Sequence, residues 1–520
     1  MGLKRELGVW QLTFASIAGM IGSGWLFSAF YASSMAGPFA VISWIIGALI
    51  ISTIALVYAK LSLKMPMAGA AAVFPKYTHG KLTTALNGWS LFMGYVSTPP
   101  LETIAALTYL NFIMGGFINS SGLLTQKGII AAVLLLIGFF LINSVGISRV
   151  SKFNFGLTFI KIIIPLTASI AFLITYFSWS NFTNFQIQGP YLKTILATIP
   201  LSGIAFSFLG FRQAVELAGE AKDPERTLPR AIILSVVIST IIYITVQLAF
   251  IASFQWGNLV QGDWQSISSS QYVKGPMLVL ASTLGLTWLA MILLVDGVIS
   301  PLGTGNIYQT STSRVVYALG DMGFLPSIFK KLNRFGVPFF ALAFDLFIML
   351  IFILPFPSWQ SLVSINSGMS IIAYATGPLA LEIMYRKGLF QGQKMGLIRI
   401  LSPVAFSFSI LLIYWSGYPY TLYMSIIAIF GILPFIYSVK KSGIEQGDLI
   451  GGSWFIAMLI GIPFLSYLGS EGINFIPFPY DNIIVFMFGL LIYGIGTYLS
   501  SPIELGEVAI KGEELKEIPD

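Results

Sequence analysis

The stretch Ala18-Gly19-Met20-Ile21-Gly22-Ser23-Gly24-Trp25 lies in the middle of an apolar run that extends from about residue 7 to residue 33. Such a run is long enough to cross a bilayer as a helix, which takes about 20 residues. Each glycine destabilises a helix interior by about 1 kcal/mol relative to alanine, so this stretch predicts a break in the helix. In lipid, the freed amides and carbonyls must be buried in protein or line a wet cavity.

A helix break of this kind is a candidate ligand site. Free carbonyls at the end of one half-helix bind a cation, and the amides that begin the next half-helix bind an anion. An amino acid carries both charges. The alternative is that the glycines serve close packing between helices, as small residues do in many membrane proteins.

The composition is typical of a polytopic membrane protein. Of 520 residues, 56% are hydrophobic and 9% are charged, which leaves little length for a soluble domain. The absence of cysteine and the single histidine exclude a disulfide framework and argue against a metal site or a catalytic triad. We therefore predict no cofactor, no metal and no enzymatic activity. The net charge of +7 is attributed to cytoplasmic loops and not to a nucleic-acid-binding surface.

Apolar segments separated by polar loops give fourteen candidate transmembrane spans. Their approximate limits are 8–33, 38–60, 83–113, 128–146, 153–178, 192–218, 229–254, 277–310, 338–356, 361–385, 399–416, 418–438, 450–469 and 482–500. The distribution of lysine and arginine supports this count. These residues concentrate in every second loop, and the loops between, assigned to the outside, carry only Lys127, Lys193 and Lys274. We expect a multi-pass protein of the cell membrane with both termini in the cytoplasm.

The sixth span contains a second interruption, because Gly203, Ser207 and Gly210 divide its apolar run. Spans three and eight also match, since each combines a proline with a carboxylate in the strings STPPLE (97–102) and DGVISP (296–301). Interrupted segments at corresponding positions of two halves are typical of transporters with inverted repeats, whose binding site lies between the halves. The pairing favours a broken-helix site over glycine packing alone.

Two longer strings carry a family resemblance. They are FLGFRQAVELAGEAKDPERTLPRAI at residues 208–232 and STSRVVYALGDMGFLP at residues 311–326. Together with Ile21-Gly22-Ser23-Gly24, they resemble the amino acid–polyamine–organocation (APC) family of amino acid permeases. The resemblance implies an all-α polytopic membrane protein of the LeuT type, a 5+5 inverted repeat with broken helices 1 and 6 and four peripheral spans. The chain then divides into a cytoplasmic N-terminus (1–7), two repeats (8–178 and 192–385), peripheral spans (399–500) and a cytoplasmic tail (501–520).

The resemblance also implies a substrate site at the two breaks. It assigns the substrate carboxylate to backbone amides around Ser23 and Gly24. It assigns the substrate ammonium to free carbonyls around Met20 and Ile21 and around Phe206 and Leu209. Phe206 matches an aromatic residue that closes the site from outside. Phe211 is a further gate candidate near it, as is Phe208, with core or lipid packing as the alternative for both. The full predicted set is Met20, Ile21, Gly22, Ser23, Gly24, Trp25, Phe206, Ser207, Leu209, Gly210 and Arg212.

Ionisable side chains inside spans are costly and usually functional. Lys161 lies well inside span five, and the alternative is that it extends to the inner surface. The resemblance implies that this lysine replaces a sodium ion, touching the first break and Ser300 or Thr304, which favours proton coupling or exchange. Glu102 and Asp296 are the other candidates to carry a proton, unless they form a structural ion pair or a helix cap.

Arg212 lies in the first turn after the sixth-span break, where the helix dipole disfavours a cation. It therefore needs an anionic partner: Glu102, Asp296 or a carboxylate on the substrate side chain, which arginine binds through two hydrogen bonds. Family members that handle arginine or its amine product have an acidic residue near this point. This chain departs from that pattern, which argues against cationic substrates. The strings PPLE (99–102) and GFRQ (210–213) resemble the aspartate/glutamate–proton symporter branch. We expect acidic amino acids as substrates, with neutral ones second.

The leading prediction is a proton-coupled amino acid symporter that works by alternating access, with amino acids, protons and lipid as partners. The alternatives are an amino acid exchanger without net proton movement and a membrane sensor that does not transport. Near the cytoplasmic side, four charged residues form either an inner gate of ion pairs or a solvated surface: Glu216, Glu220, Arg226 and Arg314. The sequence leaves the oligomeric state open.

Overall fold

The computed structural model describes residues 6–64, 70–145, 147–186, 189–355, 358–390 and 395–500. Over these ranges the chain consists of helices joined by turns and loops, with isolated bridges such as the one between Leu7 and Ala221. The predicted all-α class is therefore confirmed. Residues 1–5 of the predicted N-terminal segment and the predicted tail at 501–520 lie outside the described residues.

The α-helices of the described ranges follow one another along the chain. In the first half they are α1 (Val9–Met20), α2 (Gly24–Ala36), α3 (Ala40–Lys64), α4 (Ala70–Val73), α5 (Lys76–Val96), α6 (Thr98–Met114), α7 (Gln126–Ser144), α8 (Ile147–Thr175), α9 (Ser180–Thr183), α10 (Tyr191–Leu201), α11 (Ile204–Phe208), α12 (Arg212–Glu216) and α13 (Pro224–Ser253). In the second half they are α14 (Pro276–Thr283), α15 (Thr287–Asp321), α16 (Phe339–Ile353), α17 (Trp359–Tyr374), α18 (Thr376–Arg386), α19 (Gly396–Tyr414), α20 (Tyr420–Ile429), α21 (Ile432–Ser442), α22 (Gln446–Ile450), α23 (Ser453–Leu468) and α24 (Tyr480–Tyr498).

The first apolar run is interrupted where its glycines predict. Helix α1 ends at Met20, and α2 begins at Gly24. Between them Ile21 leaves the helical region with ψ of 88°. The C-terminal end of α1 and the N-terminal end of α2 therefore face each other inside the protein.

The sixth apolar run is bent by 54° between α10 and the segment formed by α11 and α12. Gly203 lies at the bend with φ of +90°, a left-handed conformation that side chains disfavour. A 3₁₀ turn at Leu209–Phe211 then separates α11 from α12. The main change of direction thus lies before Ile204, earlier in the chain than the phenylalanines that the sequence places at the break.

The described helices confirm a multi-pass membrane protein. Nine of them are long and apolar enough to cross a bilayer, or ten if the bent pair is one span. The apolar helices α1 and α16 are shorter. Large apolar side chains also remain exposed, for example Leu49 and Ile174, as expected for a surface that faces lipid. The number fourteen stays a prediction.

The broken segments lie against three long helices. Helix α1 packs on α13, α8 and α15, while α11 and the 3₁₀ turn pack on α1, α2 and α3. Helix α15 runs along α6, and α17 runs along α5. Side chains from α6, α8, α13, α15 and α17 therefore reach the breaks.

Candidate functional site

The two interrupted segments touch through small residues. Gly210 packs on the backbone of Gly19 and Met20, so closely that a methyl group added at Gly210 would overlap Met20 N. Gly24 likewise packs on Ser207. The glycines therefore provide close helix packing as well as a broken helix, and the close packing brings the two breaks side by side.

The backbone amide between α1 and α2 is bound by a side chain of the protein. Ser23 N–H donates to Glu102 Oε2 at 2.9 Å, and the Glu102 carboxyl is fully buried. Gly22 provides the space, because a methyl group there would overlap Glu102 Oε1. Glu102, a candidate proton carrier from the sequence, thus lies on the amide that the sequence assigns to the substrate carboxylate.

A tyrosine hydroxyl lies between the carbonyls of the two breaks. Tyr243 Oη is 2.8 Å from Met20 O and 3.2 Å from Ser207 O. Met20 O also accepts a hydrogen bond from Gly22 N–H at 3.1 Å. Tyr243 therefore bonds to a carbonyl that the sequence assigns to the substrate ammonium.

The prediction that the carbonyls of Phe206 and Leu209 are free is wrong. The Leu209 N–H donates to Phe206 O, and the Arg212 N–H donates to Leu209 O. The physical reason is the 3₁₀ turn, which continues the backbone hydrogen bonds across this region instead of leaving them open.

Lys161 contacts the first break and α15. Its Nζ donates to Ala18 O at 3.0 Å and to Thr304 Oγ1 at 2.6 Å, and the side chain is buried. Thr304 Oγ1 also lies 3.5 Å from Ile21 O. Of the two predicted contacts on this helix, Thr304 is the one that Lys161 reaches, while Ser300 Oγ has no hydrogen-bond partner among the described residues.

Asp296 is buried in the same region. It lies beside the Trp25 indole, and its charge and that of Glu102 both act on Lys161. Asp296 Oδ2 and Trp25 Nε1 lack a partner with hydrogen-bond geometry in the described part of the chain. The three ionisable side chains that the sequence singles out therefore form one electrostatic cluster beside the first break.

Arg212 is enclosed by tyrosines. Its guanidinium carbon lies 3.6 Å from the ring centre of Tyr95, 4.5 Å from that of Tyr308 and 5.9 Å from that of Tyr374. Arg212 Nη1 donates to Tyr374 Oη at 2.8 Å. Aromatic faces stabilise a cation by about 0.5–2 kcal/mol, so the cage offsets part of the cost of burying this charge.

The cage leaves part of the guanidinium open. Arg212 Nε and Nη2 have no hydrogen-bond partner in the described ranges, although the side chain is buried. Neither Glu102 nor Asp296 therefore fills the predicted role of its anionic partner. The third predicted partner, a carboxylate on the substrate side chain, stays a prediction.

An aromatic cluster covers one side of the break. The Trp359 indole N–H donates to Ser23 Oγ at 2.7 Å. Its ring stacks on Phe27 and Tyr31 at centroid distances of 5.1 and 5.5 Å, and Phe206 approaches edge-on at 6.4 Å. Phe206, which the sequence assigns to a gate, belongs to this cluster.

The other two phenylalanines of the sixth run point elsewhere. Phe208 packs edge-on against Trp44 and Tyr243, as its core-packing alternative predicts. The Phe211 ring centre lies 5.5 Å from that of Tyr374, which bonds to Arg212. Phe211 therefore borders the arginine cage and not the aromatic cluster around Trp359.

A cavity of about 470 Å³ opens at the end of the bundle that contains the C-terminal half of α15. Its polar lining includes Lys76, Asn143, Glu220, Arg314, Tyr317 and Asp321. The described ion pairs do not join the four charged residues of the predicted inner gate. Arg226 instead pairs with Asp223 at 3.8 Å on the surface, and Glu216 accepts a hydrogen bond from the Tyr95 hydroxyl.

The comparisons with known proteins identify the family. A family model described as "Amino acid permease" matches residues 7–423. The chain belongs to the amino acid permease family. The resemblance to the APC family is thereby confirmed, and the protein is a membrane transporter and not an enzyme.

Two curated relatives cover nearly the whole permease. The glutamate/serine transporter AimA of Bacillus subtilis is 34% identical over 94% of this chain and 93% of its own length. The aspartate-proton symporter of Bacillus subtilis is 32% identical over 96% of this chain and 97% of its own length. The predicted similarity to an aspartate/glutamate–proton symporter branch agrees with these relatives.

A solved structure shares the fold of the permease. A single-residue mutant of the Eremococcus coleocola manganese transporter superimposes with a TM-score of 0.53, covering 95% of this chain and 97% of that one. The sequences are 14% identical, so the likeness concerns the fold alone. Within the described ranges of the permease, no group of three His, Cys, Asp or Glu side chains is arranged to hold a metal ion.

Several residues at the site of the permease carry no signal in the sequence. Tyr243 and Trp359 lie far along the chain from the break, and each contributes one hydrogen bond to it. The three tyrosines around Arg212 come from α5, α15 and α17. Tyrosine and tryptophan are common in membrane proteins at many depths, so the sequence alone does not separate these five from the others.

Proposed function

We propose that this permease is a proton-coupled amino acid symporter that works by alternating access, with acidic amino acids as first substrates and neutral ones second. The observation that carries the substrate class is the buried Arg212 guanidinium, whose Nε and Nη2 lack partners among the described residues. A buried cation in this state binds a carboxylate well, because charge-assisted hydrogen bonds are about twice as strong as neutral ones.

In this proposal each charged group of the substrate has its own partners. The α-carboxylate binds the amides of Ser23 and Gly24, the α-ammonium binds the carbonyls of Met20 and Ile21, and a side-chain carboxylate binds Arg212. Neutral amino acids use the first two subsites. The names of the two relatives, a glutamate/serine transporter and an aspartate-proton symporter, support both substrate classes.

Proton coupling is supported by the ionisable cluster beside the break. Lys161 Nζ lies between Ala18 O and Thr304 Oγ1, oxygen atoms of the kind that a sodium ion would need. Burial favours the neutral form of amines and carboxyls, which allows such groups to accept and release protons. We assign the coupling role to Lys161, Glu102, Asp296, Ser300 and Thr304.

The architecture proposed for this activity is the LeuT type, with two inverted repeats of five spans and four peripheral spans. The permease would lie in the cell membrane with both termini in the cytoplasm, as the alternation of basic residues predicts. In that orientation the cluster of Phe206 and Trp359 covers the site from outside, and the cavity near Arg314 opens to the cytoplasm. These two features support a state of an alternating-access cycle in which the site is closed to the outside.

The test is uptake of radiolabelled amino acids into liposomes that contain the purified protein, in sodium-free buffer with and without an inward proton gradient. We expect accumulation of aspartate and glutamate above equilibrium with the gradient, and none above equilibrium without it. Liposomes without protein provide the background.

Each other outcome separates an alternative. Uptake that requires preloaded amino acid and ignores the gradient would mean exchange. Gradient-driven uptake of neutral amino acids alone would reject the role of Arg212 while keeping symport. Binding of amino acids without transport would mean a sensor and would overturn the proposal.

A further inference from the structure

The Glu102 carboxylate lies at the N-terminus of α2, on the Ser23 amide. Its Oε2 accepts the Ser23 N–H bond at 2.9 Å, and the absence of a side chain at Gly22 lets Oε1 approach. Helix N-termini attract anions because their amides are free and the helix dipole is positive there. The charged form of Glu102 therefore gains more from the Ser23 amide than the neutral form does.

Few contacts hold the Glu102 carboxyl on the Ser23 amide. Its Oε1 has no hydrogen-bond partner within the described residues, although the carboxyl is fully buried. Lys161, whose charge acts on Glu102, directs its Nζ to Ala18 O and Thr304 Oγ1 instead. Glu102 can thus release the Ser23 amide when its carboxylate is protonated.

The remaining titratable groups that face this region come from the helices packed around it. They are Asp296 and Tyr308 from α15 and Tyr243 from α13, together with Lys161 from α8. Tyr243 bonds to Met20 O, and Tyr308 lies against Arg212. None of these groups contacts the Ser23 amide, so the occupancy of that amide depends on Glu102.

We propose that Glu102 is a tethered competitor of the substrate α-carboxylate, and that this competition links substrate binding to the uptake of one proton. The inference rests on the proposed function, which assigns the substrate carboxylate to the same amide. Two carboxylates repel each other at one N–H group, so the substrate binds after Glu102 is protonated and releases the amide. Glu102 is then the group through which the proton and the substrate are coupled.

The sign of the pH effect follows directly. Where Glu102 is charged, substrate binding must take up one proton, so the Kd rises by about tenfold for each unit of increasing pH. Where Glu102 is already neutral, the Kd is independent of pH. A substrate without a side-chain carboxylate follows the same rule, because the competition concerns the α-carboxylate.

The experiment measures binding of radiolabelled L-serine and L-glutamate to the purified full-length protein between pH 5 and pH 8. In wild type we expect the Kd for both to rise with pH toward the tenfold slope. In Glu102→Gln we expect the Kd to change by less than about twofold over the range, since glutamine does not titrate. Asp345→Asn is the matched control, because it neutralises another buried carboxyl, on α16, and should keep the wild-type slope.

A second measurement requires no variant. In weakly buffered solution, wild type should take up close to one proton for each L-serine bound at the upper end of the range. A pH-independent Kd in wild type, no proton uptake, or a slope that persists in Glu102→Gln would overturn the inference and leave symport intact. A slope lost in Asp345→Asn instead would move the proton to Asp345. If wild type binds neither amino acid at any pH, the proposed function is wrong and this inference falls with it.

Discussion

Under the proposed function, replacement of Arg212 by glutamine should shift the preference of the permease from acidic to neutral amino acids. The guanidinium has two nitrogens without partners among the described residues, which suit a bidentate bond to one carboxylate. Glutamine keeps a polar side chain, but it is shorter and removes the charge and the fork.

The magnitude follows from the bonds that are lost. Each charge-assisted hydrogen bond contributes about 1.5–3 kcal/mol, so a bidentate pair is worth about 3–6 kcal/mol before any compensation by the glutamine amide. With one neutral bond regained at about 1 kcal/mol, the net loss is about 2–5 kcal/mol. At 1.4 kcal/mol for each factor of ten, glutamate affinity should fall by at least about thirtyfold.

The assay is the Kd of L-glutamate and L-serine for the same purified variant. Serine does not reach Arg212 in the proposed pose, so its Kd should change by less than about threefold and report that the variant is folded. Arg226→Gln is the matched control, because Arg226 is exposed and pairs with Asp223 on the surface. A glutamate Kd in Arg212→Gln that stays within threefold of wild type would refute the reasoning.

Two further predictions concern the packing of the breaks. Gly210→Ala would push a methyl group into the backbone at Met20, so we expect a loss of about 1–3 kcal/mol in unfolding free energy and little uptake. The control is Gly138→Ala, where no atom lies near the added methyl group. Equal thermal stability of the two variants would contradict this prediction. Trp359→Phe keeps the ring stack but loses the bond to Ser23 Oγ, worth about 1 kcal/mol, so the Kd for substrate should rise about fivefold. Trp415→Phe, which loses a bond to Asn482 in the peripheral helices, should leave that Kd unchanged, and an equal effect of the two variants would count against a local role of Trp359.

Features that depend on a short stretch of chain could be predicted from the sequence. The interruption between Met20 and Gly24 follows from glycine content within a run that must otherwise be helical. The contact between Lys161 and Thr304 follows from the cost of leaving a charge unpaired in the membrane, together with the family resemblance. In both cases a local energetic penalty limits the conformations and contacts that the chain can adopt.

Features that depend on which side chain from a distant part of the chain contacts the break could not be predicted. The resemblance assigns the Ser23 amide to the substrate carboxylate, and the sequence names Glu102 as a candidate proton carrier, so the hydrogen bond between Ser23 N–H and Glu102 was not predicted. The choice of Glu102 depends on the packing of α6 against α15 and on the space at Gly22. The Phe206 and Leu209 carbonyls were predicted free because a 3₁₀ turn and a full break have similar sequences.

Several polar groups of the first break are bonded to side chains of the protein, and this has a consequence for affinity. Ser23 N–H is bound by Glu102, Ser23 Oγ by Trp359, and Met20 O by Tyr243. Buried backbone groups in a membrane cannot remain unpaired without a large cost, so substrate binding exchanges partners and does not fill an empty set of bonds. The net affinity is therefore the difference between two sets of similar bonds, which suits a transporter that must release its cargo. Arg212 differs, because its guanidinium stacks on tyrosine rings while Nε and Nη2 have no hydrogen-bond partner among the described residues.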